Sequence, residues 1–171
     1  MLIGYMAVSA DGFAATLDGS VDFLTPYEST DYGYETFLNS IDSVAMGRRT
    51  YEAILDFDVG WPYGNRPAHI LTHRALDSDA SPFVSRWEKG LDALSIKAEG
   101  QRMWLVGGPA VQGEALSRGL LDELHLFLVP VLLGMGIPLM PPGYDPIALT
   151  LAHSKPFENG MVHLHYTKEG R

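Results

Sequence analysis

From Leu2 to Arg118, short apolar runs alternate with stretches of helical spacing, and that alternation restricts the chain to a sheet with helices packed on it. Leu2–Val8 is an apolar run closed by the turn residues Ser9-Ala10-Asp11-Gly12, and Ser43–Met46, Ala68–Leu71 and Arg102–Val106 read as further short strands. Between them, Asp31 to Ile41 carries Tyr34, Phe37, Leu38 and Ile41 at helical intervals. Arg49–Leu55, residues 88–98 and Ala110–Arg118, the last closed by Gly119, are the other expected helices. Residues 9–30, rich in Gly, Asp, Ser and Thr, are expected to form a long loop, and loops of that length often carry function. After Glu123–Val129, a strand ended by Pro130, the pattern changes. Ile147–Ser154 and Met161–Lys168 alternate about Glu158-Asn159-Gly160, a hairpin with Asn-Gly as its turn. The expected fold class is α/β: a mostly parallel sheet with helices on its faces and an antiparallel C-terminal hairpin, in a single domain over residues 1–171.

Such sheets bind ligands at the carboxyl ends of their strands. Two turns stand at such ends. In Met46-Gly47-Arg48-Arg49-Thr50-Tyr51-Glu52 a strand runs through a glycine into a helix N-terminus, where free N–H groups and the helix dipole attract anions. Arg48 and Arg49 add planar, permanently charged donors suited to phosphate oxygens. In Trp104-Leu105-Val106-Gly107-Gly108-Pro109-Ala110 paired glycines let the backbone approach a pyrophosphate closely. A third group, Thr72-His73-Arg74, follows the strand Ala68–Leu71. Each alone reads equally well as an ordinary turn; two anion-ready turns in one small chain point to a dinucleotide.

The bulk of the sequence narrows the partners. A net charge of −9, with Arg48-Arg49 the one close pair of cations, excludes nucleic acid as a main partner. The absence of cysteine excludes disulfides, thiolate catalysis and cysteine-based zinc sites. No stretch approaches ~18 uninterrupted apolar residues, so no membrane span is expected. Met1-Leu2-Ile3-Gly4-Tyr5 starts apolar without a basic region and reads as a first strand, not a signal peptide, so a cytoplasmic location is expected.

Taken in order, Val8-Ser9-Ala10-Asp11-Gly12, Met46-Gly47-Arg48-Arg49-Thr50-Tyr51-Glu52, Val106-Gly107-Gly108-Pro109, Leu121-Asp122-Glu123-Leu124 and Pro130-Val131-Leu132-Leu133-Gly134-Met135-Gly136 resemble the dihydrofolate-reductase-like family. The nearest branch is that of the reductase domain of the riboflavin-biosynthesis deaminase-reductase. The resemblance spans essentially the whole chain. It implies a sheet of about eight strands and an NADPH-dependent reductase acting on a small heterocycle. That substrate would be of pterin or pyrimidinone type, as in dihydrofolate reductase or 5-amino-6-(5-phosphoribosylamino)uracil reductase. Gly47, Arg48, Arg49 and Thr50 would hold the adenosine phosphate side, and Thr72, His73 and Arg74 would flank the 2′-phosphate. Val106, Gly107 and Gly108 would lie beside nicotinamide and pyrophosphate, with Ala110, Val111 and Gln112 opening the helix. Ala7 and the loop Asp11–Ala15 would wall the nicotinamide. A homodimer is also implied, and the apolar Val131-Leu132-Leu133 and Ile137-Pro138-Leu139-Met140 offer its surface.

In dihydrofolate reductases an acidic residue precedes the Met-Gly-Arg motif, and Asp31 has the matching spacing. Glu35, one turn later on the expected helix, is the rival. A carboxyl facing an apolar pocket has a raised pKa and can relay a proton near neutral pH. The plainer readings are a helix N-cap for Asp31 and a solvated face for Glu35. The chain departs from dihydrofolate reductases at Phe23-Leu24-Thr25-Pro26, where they carry Pro-Trp, and at Phe127, where they offer a Thr. It also has no Lys or Arg before Arg48, which disfavours a substrate bearing a ribose phosphate. A neutral or apolar heterocycle suits it better. Gly134-Met135-Gly136 cannot open a helix ahead of Pro138 and is expected to be a structural turn. His163 and His165 share a strand face without an evident third ligand, so no metal is expected and that face reads as solvent-facing. A non-catalytic dinucleotide- or ligand-binding protein on the same fold is the alternative, since fold does not dictate chemistry.

Overall fold

The computed structural model describes residues 1–56, 60–76, 81–140 and 142–168. In chain order these form β1 (Leu2–Ser9), β2 (Phe13–Ala15), a 3-10 helix (Asp22–Tyr27), α1 (Tyr34–Asn39), β3 (Ser43–Gly47), α2 (Arg48–Leu55) and β4 (Ala68–Leu71). Then follow β5 (Val84–Trp87), α3 (Gly90–Lys97), β6 (Met103–Gly107), α4 (Pro109–Ser117), β7 (Glu123–Val129), β8 (Ile137–Pro138), β9 (Leu149–Pro156) and β10 (Val162–Lys168).

Eight strands make one sheet in the order β5-β4-β3-β6-β1-β7-β10-β9. The six from β5 to β7 run parallel, and the β9–β10 hairpin is added antiparallel along β7. β1 is apolar nearly throughout because it lies inside the sheet, between β6 and β7, with helices on both faces. On one face α1 and α2 bury Phe37, Tyr51 and Ile54 against Val44, Met46, Ile70 and Trp104. On the other, α3 and α4 bury Leu91, Leu94, Ala115 and Leu116 against Leu2, Ala45, Met103 and Leu105. The Asp122 carboxylate accepts the Leu2 N–H at 2.8 Å, so the Leu-Asp-Glu-Leu segment fastens the start of the central strand.

Several expectations need correction. Residues 9–30 are not all loop: they contain β2 and the 3-10 helix, and β2 pairs with β8 in a separate antiparallel ladder. β5 was not apparent in the sequence, because an edge strand whose central residues Ser85 and Arg86 are exposed carries no apolar pattern. The helix expected from Asp31 begins at Tyr34. Gly33, at φ 80°, turns the chain into it, and the Asp31 carboxylate accepts the Gly33 N–H at 2.7 Å, so Asp31 stands in the turn before the helix. Asp31 and Glu35 therefore do not share a helix face. In the hairpin, Gly160 donates to the Phe157 carbonyl at 3.0 Å and has φ 87°, while no non-glycine residue has positive φ. Glu158 and Asn159 are thus the turn's central pair and Gly160 is the left-handed residue that follows it. The Gly134-Met135-Gly136 segment is a structural turn: the Asp11 carboxylate accepts the N–H groups of Leu133 and Gly134 at 3.1 and 2.7 Å.

Candidate active site

β3 and β6 are neighbours whose outgoing chains part. α2 leads away toward β4 on one side, and α4 leads back toward β7 on the other. This is where an open parallel sheet leaves a crevice at its carboxyl edge. Gly47 and Gly107-Gly108 both stand there. A Cβ on Gly47 would lie 3.1 Å from Val111 Cγ2 and 3.8 Å from both Gly107 O and Gly108 N; one on Gly108 would lie 3.1 Å from Thr50 Oγ1. The two turns therefore face each other at contact distance, and the missing side chains leave their backbone open to a ligand. The Gly107–Gly108 peptide is cis. Gly47 and Gly108 are the N-cap residues of α2 and α4, so both helix N-termini begin at this crevice and can hold a dinucleotide's phosphates.

The other residues expected around a cofactor divide into two groups. Arg49 is exposed on the first turn of α2, and His73 and Arg74 are exposed just past β4. The Thr72 hydroxyl accepts the Arg74 N–H at 3.1 Å and sets that turn. Arg48, by contrast, is engaged within the fold: it donates from Nε to the Glu52 carboxylate and from Nη1 to the Ala75 carbonyl, each at 2.6 Å, tying α2 to the segment that carries Arg74. Gln112 is turned inward. Its side chain is wholly buried and donates to the carbonyls of Leu105 and Val106, while its own N–H goes to Gly108 O. It braces β6 against α4 beneath the crevice, with Ala110 and Val111 above it on the first turn.

β1, the strand beside β6, carries a second feature on the opposite face. A Cβ on Gly107 would lie 3.7 Å from Met6 Cε, and the next residue, Ala7, lines a cleft of about 330 Å³. Tyr5, Phe127, Tyr27, Tyr32 and Tyr34 supply most of its aromatic wall, with Leu24 and Met161 filling in; Glu28 and Asp31 are its carboxylates. Tyr5 stacks on Phe37 at 4.2 Å and leans on Phe127 at 4.8 Å. Burial, then the neighbouring Tyr34 and the Asp31 carboxylate, push the Tyr5 hydroxyl well above its ordinary pKa, so it stays protonated. Tyr32 is fixed at both ends of its hydroxyl: it donates to Tyr27 O at 2.8 Å and accepts from Asn159 Nδ2 at 2.6 Å. Asn159 Nδ2 also donates to Thr30 Oγ1, so the hairpin turn clamps the loop that closes the cleft. Asp31, itself exposed, lines the rim of this cleft, whereas Glu35, exposed on α1, does not. The loop tyrosines and Asn159 escaped the sequence reading. The available signals were three tyrosines between residues 27 and 34, and Tyr5 two places before Ala7 on the same strand face.

Behind Phe127 the face expected to meet solvent is a half-buried histidine cluster. His163 stacks on Phe127 at 4.4 Å, His125 stacks on His165 at 4.1 Å, and His125 Nδ1 lies 3.0 Å from His163 Nε2. Glu123, His125 and His165 bring potential ligand atoms within 4.8 Å of one another. However, the two rings are within 13° of parallel, so an ion in the plane of one lies off the plane of the other. Arg102 also lies 3.2 Å from the Glu123 carboxylate. The arrangement is a packed cluster across the paired strands β7 and β10.

Residues 64–163 match the family model of the RibD C-terminal domain. The chain belongs to that family. It is 30% identical over 167 residues to the Bacillus subtilis protein YwjB, covering 96% of this chain and 95% of that one. It is 28% identical over 183 residues to YyaP of the same organism, covering 96% and 93%. Among solved structures, a candidate riboflavin biosynthesis protein from Shewanella sp. PV-4 superposes with a TM-score of 0.81 at 24% identity over 98% of both chains. The Thermotoga maritima diaminohydroxyphosphoribosylaminopyrimidine deaminase/5-amino-6-(5-phosphoribosylamino)uracil reductase superposes with a TM-score of 0.73 at 13% identity, over 98% of this chain and 56% of that one. These structural likenesses establish the α/β fold of the RibD C-terminal domain, with its eight-stranded sheet. No helix among the described residues is long and apolar enough to cross a membrane.

Proposed function

We propose that this RibD C-terminal domain is an NADPH-dependent reductase of a small heterocycle of pterin or pyrimidinone type. The observation that carries the reading is the pairing of two glycine turns at the N-termini of α2 and α4 with an aromatic cleft, on the neighbouring strand β1, that holds a carboxylate. Membership of a family named for a reductase-bearing enzyme supports it. A reduced nicotinamide supplies a hydride when bound. The chain's part is to bind and orient. Gly47, Gly107 and Gly108 admit the phosphates, Ala7 leaves room beside β1, and Asp31 holds a proton at a ring nitrogen of the substrate.

Exposed Arg49 and Arg74, with His73, are the groups assigned to the 2′-phosphate, while Arg48 keeps their two segments together. Each charge-assisted contact contributes ~1.5–3 kcal/mol, so two favour NADPH over NADH by roughly 10²-fold or more. Calorimetric titration of both cofactors into the wild type and the double variant Arg49→Ala, Arg74→Ala tests this. The preference is expected in the wild type and lost in the variant; equal affinities in the wild type would remove the 2′-phosphate assignment. Asp31→Asn is expected to lower turnover ~10²–10⁴-fold with NADPH affinity unchanged. A loss below about threefold would move the proton's source to Glu35 or to solvent.

A further inference from the structure

A second groove, of about 380 Å³, lies at the outer edge of the sheet, where β4, the edge strand β5 and the end of α3 meet. The reductase reading makes no use of it. The crevice stands at the carboxyl ends of β3 and β6, whereas this groove reaches down to His69, the second residue of the four in β4, and to Ser85, its partner on β5. Its charged residues are Arg86, Lys89 and Lys97 against the single carboxylate of Glu88, on a chain whose net charge is −9. Arg86 is tied to Glu88 at 2.9 Å. Lys89 and Lys97 are exposed and have no ion pair among the described residues. Trp87 supplies a flat face: its Nε1–H donates to the Gly90 carbonyl at 2.9 Å, which fixes the indole, and its ring lies 5.4 Å from that of His69.

The hydrogen bonds around His69 fix what it can accept. The Ser85 hydroxyl donates to the Ala68 carbonyl at 3.2 Å, so His69 Nδ1, 3.1 Å from Ser85 Oγ, is the donor in that pair. The ring proton is therefore on Nδ1, and Nε2 is a bare acceptor. Nε2 is buried and has no partner among the described residues, a state that a donor from a ligand would relieve. Burial first, then the Lys97 charge, lower the His69 pKa, so the ring is neutral near pH 7 and keeps that acceptor. We propose that this groove is a second ligand site, taking a planar aromatic carboxylate that carries a hydroxyl or N–H donor at the far end of its ring. The donor meets His69 Nε2, the ring lies along Trp87, and the carboxylate is held by Lys97 and Lys89. A small inorganic anion could use the two lysines but would leave the indole face bare. The site stands independently of the reductase reading.

The test is calorimetric titration of the full chain at pH 7.5 and low salt, with and without saturating NADPH. The probes are 4-hydroxybenzoate, benzoate, which lacks the donor, 4-hydroxybenzyl alcohol, which lacks the charge, and inorganic phosphate. 4-Hydroxybenzoate is expected to bind about fivefold or more tighter than each of the others, and equally well in the presence of NADPH. Lys97→Gln, at an exposed side chain, is expected to weaken 4-hydroxybenzoate severalfold. His69→Phe keeps a ring but removes the acceptor, and should bring 4-hydroxybenzoate and benzoate to the same affinity. If that variant fails to fold, Lys97→Gln and Lys89→Gln still decide the matter, because both alter charge at exposed positions. Benzoate or phosphate binding as tightly as 4-hydroxybenzoate overturns the proposal. So does an affinity unchanged in Lys97→Gln, displacement by NADPH, or no binding at millimolar concentration. Failure of NADPH itself to bind would count against the reductase reading alone.

Discussion

At the scale of single residues, the chain shows two different reasons for a glycine. Gly134 has φ 72° and open space where a Cβ would go, so only its backbone angle demands glycine. Gly136 has no such angle, but a Cβ there would fall 2.3 Å from the Ala15 carbonyl oxygen and 3.1 Å from Phe13 Cβ. Gly136→Ala must push β2 and β8 apart, and a loss of about 2–3 kcal/mol is expected in urea unfolding. Gly134→Ala should cost only about 1 kcal/mol. The histidine cluster supplies a second residue-scale prediction. Burial first, then His125 and His165, hold His163 at about 4 against an ordinary 6.5. The native state therefore binds fewer protons than the unfolded chain across that interval, and stability falls as pH drops from 6.5 toward 4. His125, 3.6 Å away and so an electrostatic neighbour more than a hydrogen-bond donor, acts with Arg102 to hold Glu123 at about 2. Its contribution, complete above 4.5, is lost as pH falls further. After discounting for solvent screening of half-buried groups, His163 accounts for on the order of 1–2 kcal/mol. Urea midpoints measured from pH 7.5 to 3.5 should fall in two stages, and His163→Phe should flatten the first. A midpoint independent of pH in the wild type would remove the cluster's role in stability.

At the scale of elements, β1 was legible because burial on both faces writes itself as a nearly unbroken apolar run, and β4 and β7 because short, mainly apolar segments bounded by turn residues read as strands: all three follow their expected spans closely. The two strand–glycine–helix turns were legible for the same reason, since glycine between a strand and a helix is unusual without a backbone that must be approached. β5 and the Asp31 turn were not, because an exposed edge strand and a turn stabilised by one carboxylate leave no periodic trace. Arg48 and Gln112 show the complementary limit: residue type suggested ligand contacts, but their partners are carbonyls that only the folded chain brings near. The hairpin turn is the element with the most to test. Gly160 at φ 87° sets the bend, and a Cβ there would lie 3.2 Å from Pro130 Cγ. Gly160→Ala is expected to cost about 1–2 kcal/mol. Asn159→Ala should cost less stability but loosen the cleft wall, because it frees Tyr32 and Thr30. An unchanged near-ultraviolet tyrosine circular dichroism signal in Asn159→Ala would show that Tyr32 needs no clamp.

For the whole molecule, one face of the β7-β10-β9 end of the sheet has no helix over it. Leu149 and Leu151 of β9 are 40% and 51% exposed, and at the other end of these strands, past β7, Leu132 and Met135 are 76% and 65% exposed. A two-fold pairing of this apolar surface is the economical way to cover it, so the expected state is a homodimer formed through the C-terminal third. Light scattering at micromolar protein should give twice the chain mass, and Leu151→Glu should return it to a monomer. A monomeric wild type would refute the pairing.

The sheet order also separates the two halves of the site in time. Both glycine turns lie between β3 and the end of α4, so the crevice is complete once Ser117 has been made. The cleft draws on Tyr5 near the start of the chain and on Met161 near its end, and its loop is latched by Asn159. A chain leaving the ribosome can thus assemble the crevice while the cleft still lacks a wall, and only the last hairpin to be synthesised completes that second hollow.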